Sequence, residues 1–176
     1  DLERTLDFAR IMAKIFDARL SVASFAWPKM TITDVLAPSF FWAEDQTRLL
    51  ERALASSRAI VDKVFAEDRE HIRCFSEIAD PNVAMREFLL TTDLLITDST
   101  VSEDRELPNP AQLAHGSGVP VLRLGRSLAG APFSNVMVAW KDTAQARRAV
   151  HEALPLLIRA ESVSVVGAGD EISSVR

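Results

Sequence analysis

The sequence predicts an α/β protein in which a parallel sheet is covered by helices on both faces, followed by the start of a second copy of the same unit. Three observations carry this. Before residue 126, segments with helical spacing alternate with short β-favouring runs in the order αβ–αβ–αβ–αβ. At residue 135 the order restarts as βαβ. The restarted helix also lies on the first one: at an offset of about 144, Arg148 falls on Arg4, Val150 on Leu6, Ala153 on Ala9 and Leu157 on Ala13. With a one-residue gap, Val163 and Val165 then fall on Leu20 and Val22.

Each element has its own signal. Leu6, Ala9, Ala13 and Phe16 recur at helical spacing, which predicts an amphipathic helix over residues 2–17. The run "ARLSVASFA" (18–26) is apolar and β-favouring and is closed by Pro28. Residues 28–42 carry two prolines and read as a long loop, and its Phe40, Phe41 and Trp42, with Trp27 just before it, are expected to pack on the core. From Glu44 to Glu67 an apolar stripe runs through Leu50, Leu54, Val61 and Phe65, a helix. "HIRCFSEI" (71–78) reads as a strand, with His71 and Cys74 on opposite faces and Cys74 as a buried structural thiol. "ADPNVAMREFLLTT" reads as a helix, with Asp80 or Asn82 near its start and Pro81 early. "DLLITDS" (93–99) is a strand apolar on both faces. A short helix near 110–115 follows, then "GVPVLRLG" (118–125), a strand bracketed by glycines. Residues 126–134 form a linker. The second copy reads as strand 135–140, turn "KDT", helix 143–159 and strand 161–167.

Bulk properties exclude several function classes. A net charge of −5 gives no global attraction to nucleic acid or to an anionic membrane, and neither is an expected partner. No apolar run approaches the roughly 20 residues that span a bilayer. The single cysteine, Cys74, suits a reducing cytoplasm. All six glycines lie at or after Gly116, so a glycine-rich phosphate loop is not expected in the first two thirds of the chain. "GAGDE" (167–171) has G-x-G after a strand, but Ile172 stands where the third glycine of a dinucleotide fingerprint would be, so it reads as a strand-end turn. His115 and His151 have no partnered acid or nucleophile in the sequence, and Arg147, Arg148 and Arg159 read as a solvated helix face. Asp98 and Ser99, at the C-terminal end of a strand, occupy the position where α/β folds place ligands.

The segments "VMVAWKDTAQARRAVHEALPLL", "AESVSVV", "DLLITDS" and "SGVPVLRL", in this order and spacing, resemble the universal stress protein family in its tandem two-domain bacterial form. The resemblance spans nearly the whole chain. It implies a doubly wound, five-stranded parallel sheet of the Rossmann-like, adenine nucleotide alpha hydrolase-like group, and a binding or regulatory role in stress responses. One branch of the family binds ATP through G-x2-G-x9-G-[ST] after its fourth strand, where helix N-terminal amides take the phosphates. Here Asp98 and Val101 stand in place of the first two glycines, with Glu103, Asp104 and Glu106 beside them. The resemblance therefore implies no ATP in the first domain and leaves ATP to a phosphate loop of the second domain beyond Arg176. In the first turn of the second copy, the family's adenine-side Asp aligns with Lys141 and its "GS" with Asp142 and Thr143; a one-residue slip gives that role to Asp142. Asp98, Ser99, Lys141, Asp142 and Thr143 are the candidate ligand residues.

The family's fifth strands meet edge to edge, so Val119, Val121, Leu122 and Leu124 are expected at a contact with a second copy of the domain, in a homo-oligomer or pseudo-dimer. The expected domains are 1–125, lacking its first strand, and an incomplete 135–176, parts of a protein of roughly 270–300 residues. The expected function is a cytoplasmic, non-enzymatic universal stress-type protein. The alternative is a nucleotide-handling enzyme of the same fold group, since fold alone licenses neither.

Overall fold

The computed structural model describes residues 2–29, 44–69, 72–99, 106–125 and 133–167, with the side chains of 44 and 45 excepted. The chain divides into two compact units, Asp1–Arg126 and Ser127–Arg176.

Unit 1 opens with helix α1 (Leu2–Phe16), which buries Leu6, Phe8, Ala9 and Met12. Strand β1 (Leu20–Phe25) follows, then helix α2 (Glu44–Val64) and strand β2 (Ile72–Glu77). β1 and β2 pair in parallel, with Leu20 opposite Ile72 and Phe25 opposite Glu77, and the Ala26 amide extends the ladder to the Glu77 carbonyl at 3.2 Å. Helix α2 crosses between them antiparallel to both. Near its end Val61, with Phe65 just beyond it, packs with Leu20, Val22 and Ile72, while Leu50 and Leu54 in its first half pack with Ala26 and Ile78. A parallel pair needs such a crossover helix, and the apolar stripe of α2 is what holds it to the strands.

Helix α3 (Pro81–Leu89), strand β3 (Leu95–Thr97), helix α4 (Pro110–Ser117) and strand β4 (Val121–Arg123) complete the unit. β3 pairs with β4 in parallel, Leu95 opposite Val121. The Leu95 amide donates to the Pro120 carbonyl at 3.0 Å and the Leu124 amide to the Thr97 carbonyl at 2.7 Å. Gly118 ends α4 in the left-handed region, φ 74°, where a side chain would add strain. Successive β1 side chains serve two cores. Leu20 and Val22 join α1 and α2 in one cluster, whereas Ala23 and Phe25 join Met85 and Leu89 of α3 and Leu113 of α4 in another. Helices thus cover both faces of β1, as the period of two dictates.

Unit 2 contains strand β5 (Asn135–Ala139), helix α5 (Ala144–Leu157) and strand β6 (Ser162–Val166), with β5 parallel to β6 and Val136 opposite Val163.

Two expectations need correction. The five-stranded doubly wound sheet does not form: among the described residues the strands make three separate two-stranded parallel sheets, β1–β2, β3–β4 and β5–β6. Each pair is a local β–α–β unit. The longer-range step, a ladder joining β1–β2 to β3–β4, is missing among the described residues: Leu95 of β3 meets Ala23 and Phe25 of β1 through side chains in one core cluster, not through backbone pairing. Cys74 is exposed rather than buried. Among the described residues β2 is paired on one side only, and its middle residues Arg73, Cys74 and Phe75 are all exposed. Of the expected loop 28–42, residues 30–42, including Phe40, Phe41 and Trp42, lie outside the described residues, as do His71, most of the 126–134 linker and residues 168–176. Trp27 is half-buried. No helix among the described residues is long and apolar enough to cross a membrane.

Candidate functional site

In unit 1 the segments that follow the strands meet in a polar network. Helix α3 starts at Asp-Pro and helix α4 at Asn-Pro, and the two starts are built alike. Asp80 is the N-cap of α3, and its Oδ1 accepts the Asn82 amide at 2.8 Å. Asn109 is the N-cap of α4, and its Oδ1 accepts the Gln112 amide at 3.1 Å. Pro81 and Pro110 occupy the first helical positions, where a missing N–H costs nothing. Asn82 then ties the two starts together. Its Oδ1 accepts the Asn109 amide at 2.7 Å, and its Nδ2 donates to Glu106 Oε1 at 3.4 Å. The Glu106 amide in turn donates to the Trp27 carbonyl, just past β1, at 2.8 Å. The network therefore joins the chain leaving β1, the start of α3 after β2, and the approach to α4 after β3.

Asp98 and Ser99 follow β3 directly and are half-buried. The Thr97 hydroxyl donates to the Asp98 carbonyl at 3.1 Å. Among the described residues the network carries two carboxylates, Asp80 and Glu106, and the Asn82 and Gln112 amides in the first turns are engaged by Asp80 and Asn109. A helix start used in this way has little left to offer a phosphate.

In unit 2 the Lys141–Thr143 turn follows β5. Thr143 caps α5, its Oγ1 accepting the Ala146 amide at 3.2 Å, and its own amide donates to the Lys141 carbonyl at 2.7 Å. The Asp142 carboxylate pairs with Arg147. Lys141 is exposed. Beside this turn, Trp140 Nε1 is buried with no hydrogen-bond partner among the described residues, which is costly for an N–H donor. The ligand candidates therefore fall on two units, Asp98 and Ser99 on the first and Lys141, Asp142 and Thr143 on the second.

Of the expected contact residues, Leu124 is buried. Val119 is half-buried and packs on the Met85–Leu89–Leu113 cluster. Val121 and Leu122 are half-buried in β4, Leu122 opposite Ile96. His115 and His151 are exposed, and Arg148 lies 3.8 Å from Glu152. Among the described residues no group of three or more His, Cys, Asp or Glu could hold a metal. Lys63 has a raised pKa, caused by its hydrogen bond to Glu3 at 2.7 Å, and it sits on α2 outside the network.

Asn82, Glu106 and Asn109 were not among the sequence candidates. The repeated cap–proline pattern, Asp80-Pro81 and Asn109-Pro110, was the signal that could have found them. Comparison with family models, curated proteins and solved structures finds no match for this chain.

Proposed function

We propose that this chain is a universal stress-type protein that acts in the cytoplasm by binding a ligand or a partner, not by turning over a nucleotide. The order of its βα units, the repeat that sets α5 on α1, and the family-like segments at residues 93–99, 117–124 and 136–157 support this reading. The observation that carries it is the state of the α3 and α4 starts. Asp80 and Asn109 accept the Asn82 and Gln112 amides, donors that a phosphate would use, and Asp80 and Glu106 place carboxylates in the same network. Like charges a few ångströms from a triphosphate cost on the order of 1 kcal/mol each even at high dielectric. A ligand at this edge would be neutral or cationic and would meet carboxylates and amide side chains. Incubating the purified chain with ATP and magnesium and quantifying ADP and AMP tests the reading. We expect no product above a protein-free control, and sustained turnover that tracks the purified protein would overturn it in favour of a nucleotide-hydrolysing enzyme.

A further inference from the structure

Among the described residues strand β2 pairs with β1 alone, so one of its edges carries backbone groups with no strand beside them. Successive carbonyls of a strand point to opposite edges. The Glu77 carbonyl points to β1, where it accepts the Ala26 amide at 3.2 Å, so the backbone groups of Cys74 and Ser76 point outward. At this edge the Ser76 carbonyl accepts a long bond of 3.4 Å from the exposed Arg58 guanidinium. Side chains alternate as well. Arg73, Phe75 and Glu77 share one face and are all exposed, with the Phe75 ring centroid 4.5 Å from that of Phe88. The other face carries Ile72 and Ile78 into the clusters under α2.

We propose that this edge pairs antiparallel with the β2 edge of a second copy of the chain, Phe75 opposite Phe75 about a two-fold axis, so that the two β1–β2 pairs form one continuous sheet. The strand's own sequence selects this occupant. In this register the outward groups of Cys74 and Ser76 exchange hydrogen bonds with those of Ser76 and Cys74 in the copy. The incoming Cys74 amide takes the Ser76 carbonyl from Arg58. The closer, non-hydrogen-bonded positions then set Arg73 opposite Glu77 on both sides of the axis and the Phe75 rings against each other. Sliding the copy by two residues keeps the outward groups matched but sets Phe75 opposite Arg73 or Glu77 and breaks both ion pairs. A two-fold contact must be self-complementary, and in charge and shape this strand is so in one register. The contact involves neither β4 nor the strand-end network, so it stands or falls apart from any ligand bound there.

The test is sedimentation equilibrium of the full chain from about 10 µM to about 1 mM, a range set by the small area of a strand-pair contact. The expected result is a concentration-dependent monomer–dimer equilibrium. Arg73→Glu sets like charges opposite each other twice and should weaken dimerisation on the order of tenfold. Arg73→Glu combined with Glu77→Arg restores both pairs in the reversed sense and should recover it. Cross-linking reads the register, because opposed Cα atoms at a non-hydrogen-bonded position lie about 4.5 Å apart, within disulfide reach. In a Cys74→Ser chain, Phe75→Cys should form an intermolecular disulfide under mild oxidation, and Arg73→Cys should not. A monomer throughout the range, a dimer indifferent to Arg73→Glu, no recovery in the charge-reversed double variant, or equal cross-linking from positions 73 and 75 would each overturn the proposal. A dimer lost in Leu122→Asp but kept in Arg73→Glu would overturn it in favour of β4.

Discussion

Truncating Phe65 to alanine tests how unit 1 is held together. The ring is 1% exposed and packs with Leu6 of α1, Val22 of β1 and Val61 of α2, so it joins three elements at one point. The Phe65 amide donates to the Val61 carbonyl at 3.0 Å, which keeps the residue in register with the end of the helix. Loss of a buried phenyl ring costs about 3–5 kcal/mol, combining lost transfer energy with an incompletely collapsed cavity. For a chain of this size each kcal/mol moves the midpoint by about 2–4 °C, so Phe65→Ala should lower Tm by roughly 6–20 °C. Urea denaturation followed by far-ultraviolet circular dichroism supplies the free energy. Leu90→Ala is the control: Leu90 is 84% exposed, and its truncation should change stability by no more than about 0.5 kcal/mol. A Phe65→Ala loss below about 1 kcal/mol, or one equal to the Leu90→Ala loss, would refute the assignment of α2 as the cover of the Leu20–Val22 face.

Three further outcomes follow from the same geometry. Asp80→Ala removes the cap that accepts the Asn82 amide at 2.8 Å and should cost about 1 kcal/mol, read as a lower denaturation midpoint, with Asp80→Asn retaining most of it. Leu122→Asp should reduce the hydrodynamic size or the stability of the chain if β4 meets a second copy; an unchanged elution volume and midpoint would contradict that role. Lys63, raised by Glu3, gives the wild type a salt-screened advantage over Glu3→Gln that is fully present below lysine's ordinary 10.5 and fades as pH climbs through the raised value, which paired thermal melts across that range would register.

Local features were legible because local chemistry decides them. The stripe through Leu50, Leu54, Val61 and Phe65 gives α2 and Asp80-Pro81 gives the start of α3, whereas α4 runs on to Ser117, past the expected 115, and Gly118 caps it instead of opening the strand. Boundaries shifted where propensity and pairing disagree. "DLLITDS" is apolar over most of its length, yet only Leu95–Thr97 form β3, because β4 offers just three residues to pair with. The assembly of strands into a sheet was not legible. Alternation tells which faces of β1 are buried but not which strand lies beside it, and among the described residues β1 pairs with β2 alone. At the site, Asp98 and Ser99 could be placed at a strand end by position, whereas the Asn82–Glu106–Asn109 links join residues up to 27 apart and depend on how α3 and α4 meet.

The central claim is that the strand-end edge of unit 1 does not accept a nucleotide phosphate, and a thermal-shift titration of the full chain with millimolar ATP and magnesium tests it most directly. A ligand present at 100 times its Kd would stabilise the chain by about 2.7 kcal/mol, several degrees in midpoint. The account predicts a flat titration for the wild type. It also predicts that Asp80→Ala, which frees the Asn82 amide and removes a carboxylate, shifts no further than its lost cap requires. A saturable rise of several degrees in the wild type, abolished when Asp98 or Ser99 is replaced, would contradict it.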